Sequence, residues 1–408
     1  MGKNVISMKT SVKTAFVNAR IFPVDQPPIE RGTLIIEDGK IVEVGADVKN
    51  NGDAKGDTKM EIVDCEGRSI TPGFIDPHTH TGIWEEGAGP GAGNNDGNEM
   101  SSAISPFTRS LDAIHPEDPG FEDARRGGVT VLGIMHGSGN AIGGQLCVVK
   151  SVGTIADDMV IREPAGVKMA LGENPKRAGT NMKRPPYTRM GVAYLIREAF
   201  YNAIEYRKSR ERAKADKKIR EPKRDLGMEI LVKVLEKEIP IRCHAHRADD
   251  IMTAIRLQEE FGYDLVIDHT TEGIKVADAL VEKGIPTLVG PLFAGRSKRE
   301  VYNLSMATPG VLHKKGGFVA LMTDSPFNPI HGLRDNLIWS IREGLPEEDS
   351  LKLITINPAK ILGVDDRVGS LTPGKDADFL IFNGLDPLDS RKKVIKTYID
   401  GKLVYDCP

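Results

Sequence analysis

Eight apolar runs, each ending in small or polar residues, constrain this 408-residue chain more than any other feature. They read SITPGFIDPHTH, GVTVLGIMHG, GQLCVVKSVG, AGVKMALGE, IPIRCHAHR, DLVIDHTTEG, IPTLVGPLF and FVALMTDSP. Runs so continuously apolar suit strands of a parallel sheet buried on both faces. Alternating with helical stretches, eight of them predict an α/β fold, a (β/α)₈ TIM barrel, whose reactive groups stand at the carboxyl ends of the strands. The polar residues fall at those ends. Little sequence separates the third and fourth runs, and Met190 to Lys237 reads as a long helical insertion rather than one barrel helix.

The two ends of the chain have a different texture. KTAFVNARIFP, GTLIIEDGKIVEVG and KMEIVDCEGRSITPG at the start, and GSLTPGKDADFLIFNG and VIKTYIDGKLVYD at the finish, are short strands joined by turns, two of them Asp-Gly. They predict a small composite β-sandwich formed by residues 1–70 and 358–408, flanking a barrel over 71–357.

Composition excludes several classes. With 39% hydrophobic residues the chain can bury a large core, yet it has no uninterrupted apolar stretch long enough to cross a bilayer, so no membrane role is expected. The opening MGKNVISMKTSV has no apolar core of signal-peptide type. Cys65, Cys147, Cys243 and Cys407 lie far apart, which signals neither a zinc knuckle nor a disulfide framework and suits a cytoplasmic setting. A basic block at 205–225 reads as the solvated face of a helix, so no nucleic-acid partner is expected. A small-molecule substrate and a homo-oligomer are the default expectations.

The chemistry gathers at the strand ends. His78 and His80, two apart on a strand, project from one face and can clamp a cation. CHAHR (243–247), DH (268–269) and TD (323–324) end three other runs. Imidazoles and a carboxylate converging on a barrel mouth suit zinc, and manganese, iron or nickel equally, because nitrogen and oxygen donors do not fix the metal. Lys168, inside an apolar strand, must be neutral or paired. Its amine is either a charge reaching the strand end or a group that captures carbon dioxide as a carbamate.

On these motifs, PGFIDPHTH, CHAH, DH, TDSP and the closing TINPAKILGVDDRVGSLTPGKDADFLIFNG, the chain resembles the amidohydrolase superfamily, nearest its imidazolonepropionase-like and Xaa-Pro or Xaa-Arg dipeptidase-like branches. The resemblance implies that His78, His80 and Asp324 hold a more buried metal and His244 and His269 a more exposed one, with carboxylated Lys168 bridging them. Asp324 would shuttle protons, and His269 or His246 would assist at the oxyanion. His246 could also exchange roles with His244. Where imidazolonepropionases and many deaminases of the superfamily carry a glutamate, this chain has Arg247, which favours a binuclear hydrolase of an amide, cyclic amide or dipeptide. Imidazolonepropionase or a mononuclear deaminase is the alternative enzyme, and a non-catalytic scaffold the alternative class.

Three further residues are expected to bind substrate: His136 at a strand end, Arg247, and Glu173 in the segment ENPKRAGTNMKRPPYTR, which either aims charge at a substrate anion or is a solvated loop. The glycine-rich stretch at 85–100 reads as an active-site loop or a connector. GIMHGSGNAIGGQ lacks the spacing of a dinucleotide site. Cys243 alternates away from His244 and is not expected to be a nucleophile.

Overall fold

The computed structural model describes residues 13–46, 48, 60–86 and 95–407. The segment MGKNVISMKTSV and positions 87–94 of the glycine-rich stretch, both read above, lie outside the described residues. The chain divides into two compact units, Met1–Gly73 with Asp365–Pro408, and Phe74–Val364. In chain order the strands are β1 (Lys13–Ile21), β2 (Ile29–Glu37), β3 (Lys40–Gly45), β4 (Met60–Asp64) and β5 (Ser69–Pro72). Next come β6 (Phe74–Thr79), β7 (Val129–Ile134), β8 (Ile142–Lys150), β9 (Val160–Ala170), β10 (Ile241–Ala245), β11 (Leu265–His269), β12 (Thr287–Val289) and β13 (Val319–Leu321). The last three are β14 (Phe379–Phe382), β15 (Val394–Ile399) and β16 (Lys402–Asp406).

The first unit is one eight-stranded sheet in the order β16-β15-β14-β5-β1-β2-β3, with β4 beside β1. Its two Asp-Gly turns behave as their residues dictate. Asp38 and Gly39 (φ 49° and 78°), like Asp400 and Gly401 (φ 49° and 71°), take positive φ at both central positions, the two-residue hairpin geometry that matches strand twist. Strands from both ends of the chain share a core in which Phe16 meets Phe379 and Tyr398 edge-on at 4.9 and 5.2 Å, while Phe379 stacks on Tyr398 at 4.4 Å.

The second unit is the barrel, its strands ordered β6 to β13 around the sheet. Closure comes from Asp324 N–H donating to the His78 carbonyl at 3.1 Å and His80 N–H to the Ser325 carbonyl at 2.8 Å. Most barrel strands are buried along their whole length, as their unbroken apolar runs require. One strand departs from the expected all-parallel order: β8 runs antiparallel to both β7 and β9. The connections at 135–141 and 151–159 explain this, since a parallel crossover needs about a dozen residues or more and a hairpin does not. Between β9 and β10 the expected insertion forms helices Arg189–Ala215 and Leu226–Leu235. After β6 the chain is anchored by Asp118, the cap of helix Pro119–Gly127. Its carboxylate also accepts from Gly82 N–H at 2.7 Å and Glu86 N–H at 3.2 Å.

Because the aromatic trio packs strands from the chain's two ends together, Phe379→Ala should lower stability by about 3–5 kcal/mol. Urea unfolding of parent and variant checks this; an unmoved midpoint would remove the trio from the account.

Candidate functional site

Five strand ends carry the polar groups inward. His78 lies on β6 with His80 just beyond it, Lys168 on β9, His244 on β10 with His246 following, and His269 ends β11. Asp324 follows β13. Asp324 Oδ1 lies 3.2 Å from Nε2 of both His78 and His80. Lys168 Nζ is 3.3 Å from His78 Nε2, and the rings of His244 and His246 lie 4.3 and 4.4 Å from that of His269. Two triplets, His78 with His269 and Asp324, and His244 with His246 and His269, each bring their donor atoms within 4.8 Å of one another. All line one cavity of about 270 Å³.

The outer nitrogens decide the tautomers. His80 Nδ1 faces the Met135 carbonyl at 2.7 Å and His269 Nδ1 the Gly290 carbonyl at 3.0 Å. A carbonyl only accepts, so both rings carry their proton on Nδ1 and turn an Nε2 lone pair inward. His78 Nδ1 faces the Asp268 carboxylate at 3.1 Å, with the same consequence. Outer-face partners that free Nε2 are the usual support of metal-bound imidazoles, so the donor set fits a divalent cation. His246 differs: its Nδ1 lies 2.8 Å from the Thr271 hydroxyl, which can donate, and its buried Nε2 has no hydrogen-bond partner.

Burial sets the charges. It lowers the imidazole pKa values of His244, His246 and His269 well below the usual range, with neighbouring positive groups adding to the effect. Lys168 is likewise lowered by burial, against the pull of Asp268 and Asp324. Burial works against ionising Asp324, but its contacts with the His78 and His80 rings hold its carboxyl well below the carboxylate range. Asp268 is brought low against the same penalty, chiefly by Arg242, whose Nε and Nη2 donate to Oδ1 at 3.0 and 2.9 Å. Three non-glycine residues here adopt left-handed backbone: His269 (φ 75°), Thr270 (φ 49°) and Asp324 (φ 56°). Such conformations persist only where surrounding structure enforces them.

The structure brings together His78, His80, Lys168, His244, His246, His269 and Asp324. It does not bring in the three expected substrate residues. Met135 turns its carbonyl and sulfur to the site, so the next residue, His136, points away into an adjacent cavity with Asp96 and Glu99, its Nε2 accepting from Glu99 N–H at 2.9 Å. Arg247 pairs on the surface with Asp249 at 2.7 Å. Glu173 opens helix Glu173–Asn181, whose i, i+3 face turns Asn174 and Arg177 to the cavity instead.

Sequence reasoning also missed several groups. Arg242 and Asp268 lie under the site, and an arginine two residues before His244 in an apolar strand was the available signal. Glu300, buried after β12, lies 3.6 Å from His244 Nε2 and 2.7 Å from Lys298 Nζ. No local pattern marks it.

Comparisons with known proteins bear on the family of the chain. A family model described as the amidohydrolase family matches residues 302–404. The crystal structure of an amidohydrolase from Thermotoga maritima MSB8 is similar at 43% identity and TM-score 0.90, covering 96% of this chain and 100% of that one. Amidohydrolase tasK of Hapsidospora irregularis is 29% identical over 85% of this chain, which spans 37% of that protein's length. The imidazolonepropionase of Clostridium tetani is 24% identical, with 92% of this chain and 91% of that one covered.

Burial lowers His136 from 6.5 to about 4. Protonation would also set a donor against Glu99 N–H. The unfolded chain therefore takes the proton first: stability that is whole above 6.5 is lost as pH falls toward 4. Urea midpoints at about pH 7.5 and 4.5 should show a smaller acid loss in His136→Asn than in the parent; equal losses would contradict the assignment.

Proposed function

This chain belongs to the amidohydrolase family, and on that premise we propose that it is a metal-dependent hydrolase cleaving the C–N bond of an amide, cyclic amide or dipeptide. The observation that carries the reading is the set of imidazoles whose outer nitrogens are occupied while their Nε2 atoms face Asp324 and one another.

In this reading His78, His80 and Asp324 would hold one ion and His244 and His269 a second, with Lys168, carboxylated on its neutral amine, as a further ligand. Zinc is the expected metal. Bound there, divalent ions supply Lewis acidity, which polarises a scissile carbonyl and makes water acidic enough to deliver hydroxide near neutral pH.

The chain's own groups do the rest. Asp324, ionised and 3.2 Å from Nε2 of both His78 and His80, takes the proton of the attacking water and hands it to the departing amine. His246 is the substrate-facing imidazole. With the Thr271 hydroxyl donating to Nδ1, its proton sits on the partnerless Nε2, which can donate to the oxygen that gains charge. His78 and His80 flank Asp324, and all three side chains are buried.

Elemental analysis of protein expressed with added zinc should give two equivalents per chain, falling to one or fewer in Lys168→Ala, with hydrolysis of an amide panel lost together with the metal. One equivalent indifferent to Lys168 would move the assignment to the single-ion imidazolonepropionase or deaminase reaction, and none would overturn it.

A further inference from the structure

We propose that the cavity into which His136 points binds a small organic cation, an alkylammonium or alkylguanidinium, through free carboxylates and a buried hydroxyl. This cavity shares no lining residue with the one that holds the histidine cluster, so the site is independent of the hydrolase reading.

Its walls come from the connection between β6 and β7, which is bolted to the segments beside it. Asn140 Nδ2 donates to the Glu99 and Ser102 carbonyls at 2.5 and 2.7 Å. Gln145 on β8 donates from its backbone to the Thr108 carbonyl at 2.8 Å and from Nε2 to the Pro106 carbonyl at 3.0 Å. His136 closes one side, with Nε2 accepting from Glu99 N–H at 2.9 Å. The space between these walls is about 460 Å³, the size of an ordinary small-molecule pocket.

Three carboxylates and one guanidinium line it. Arg109 is already committed: its Nε and Nη2 lie 3.0 and 2.5 Å from the two oxygens of Asp112, and its Nη1 3.7 Å from Glu163. Among the described residues neither Asp96 nor Glu99 has a cation partner, and the Asp96 carboxylate accepts no hydrogen bond. Glu99 uses Oε1 for Ser101 N–H at 2.8 Å. His136 brings no charge at neutral pH, because burial lowers it to about 4. The cavity is therefore negative, which repels anions and draws in cations.

Ser110 points to a ligand independently. It is 7% exposed and lines the cavity, and its buried Oγ has no hydrogen-bond partner. A hydroxyl left unpaired in the interior is costly and uncommon, and an N–H donor from a ligand satisfies it. Asn98 Oδ1 and Thr108 Oγ1 are engaged with backbone instead, accepting from Gly139 N–H at 2.7 Å and donating to the Ser105 carbonyl at 3.0 Å. Ile83, Phe107 and Ala113 give apolar surface for a short carbon chain, and the half-exposed Phe107 ring offers a face to a cation. A bare metal ion suits the cavity less, since among the described residues these carboxylates form no group close enough to share one.

Isothermal titration calorimetry of the full chain tests the site with three probes: agmatine, which carries an ammonium and a guanidinium, n-butylammonium, and uncharged 1-butanol. Both cations should bind with a Kd of about 1 mM or tighter, and 1-butanol should give no saturable heat. Asp96→Asn should weaken cation binding about tenfold or more, and Ser110→Ala should weaken it in the same direction. Should Asp96→Asn fail to match the parent's circular dichroism, Glu99→Gln carries the same expectation. No saturable heat from either cation, 1-butanol binding as well as n-butylammonium, or undiminished cation binding in the carboxamide and Ser110→Ala variants would each overturn the site.

Discussion

The ion pair between Arg242 and Asp268 is the interaction on which the rest of the site depends. Arg242 is among the largest fully buried side chains of the chain, and it joins three strands: it sits on β10, donates to Asp268 on β11, and reaches the Pro77 carbonyl on β6 at 3.1 Å. Burying such a pair brings little net stability, because desolvation offsets the attraction, while removing one partner leaves a stranded charge. Its value here is positional. With Oδ1 taken by Arg242, Asp268 presents Oδ2 to His78 Nδ1 at 3.1 Å and to Lys168 Nζ at 3.8 Å. The ring most deeply placed in the site is thereby oriented from behind.

A second carboxylate secures the barrel seam. Asp76 accepts from His78 N–H at 3.2 Å and from Thr323 N–H at 3.2 Å, with the Thr323 hydroxyl donating as well. Burial raises its carboxyl to about 7 despite these donors. The strand bearing His78 and His80 is thus held in register with the segment bearing Asp324. Left-handed backbone at His269 and Asp324 follows, since each residue must leave its strand and still turn its side chain inward.

Much of this was legible in the sequence, for particular reasons. Strands buried on both faces write themselves as unbroken apolar runs, so all eight barrel strands could be read, and Asp-Gly forces φ > 0 hairpin turns wherever it joins two strands. Histidines at strand ends stand out because burial otherwise rejects them. The reversal of β8 was readable in principle from its short connections. Arg242 with Asp268 was harder, because their partnership lies across strands and only register reveals it. His136, Arg247 and Glu173 fall outside the lining of the histidine cavity for a common reason: each sits one position from a residue that does face the cavity or the strand interior, and a loop or helix start does not declare its phase. Glu300 and Arg177 depend on how loops fold over the mouth, which no periodicity encodes.

The most direct test of the claim that Asp268 orients His78 is the zinc affinity of Asp268→Asn, measured by competition with a chelator on protein whose circular dichroism matches the parent. An asparagine keeps the shape but not the charge that fixes the imidazole proton. The account predicts zinc binding weakened about 10- to 100-fold with the fold retained. Affinity equal to the parent's would contradict it, and His78 would then have to be positioned by the barrel backbone alone.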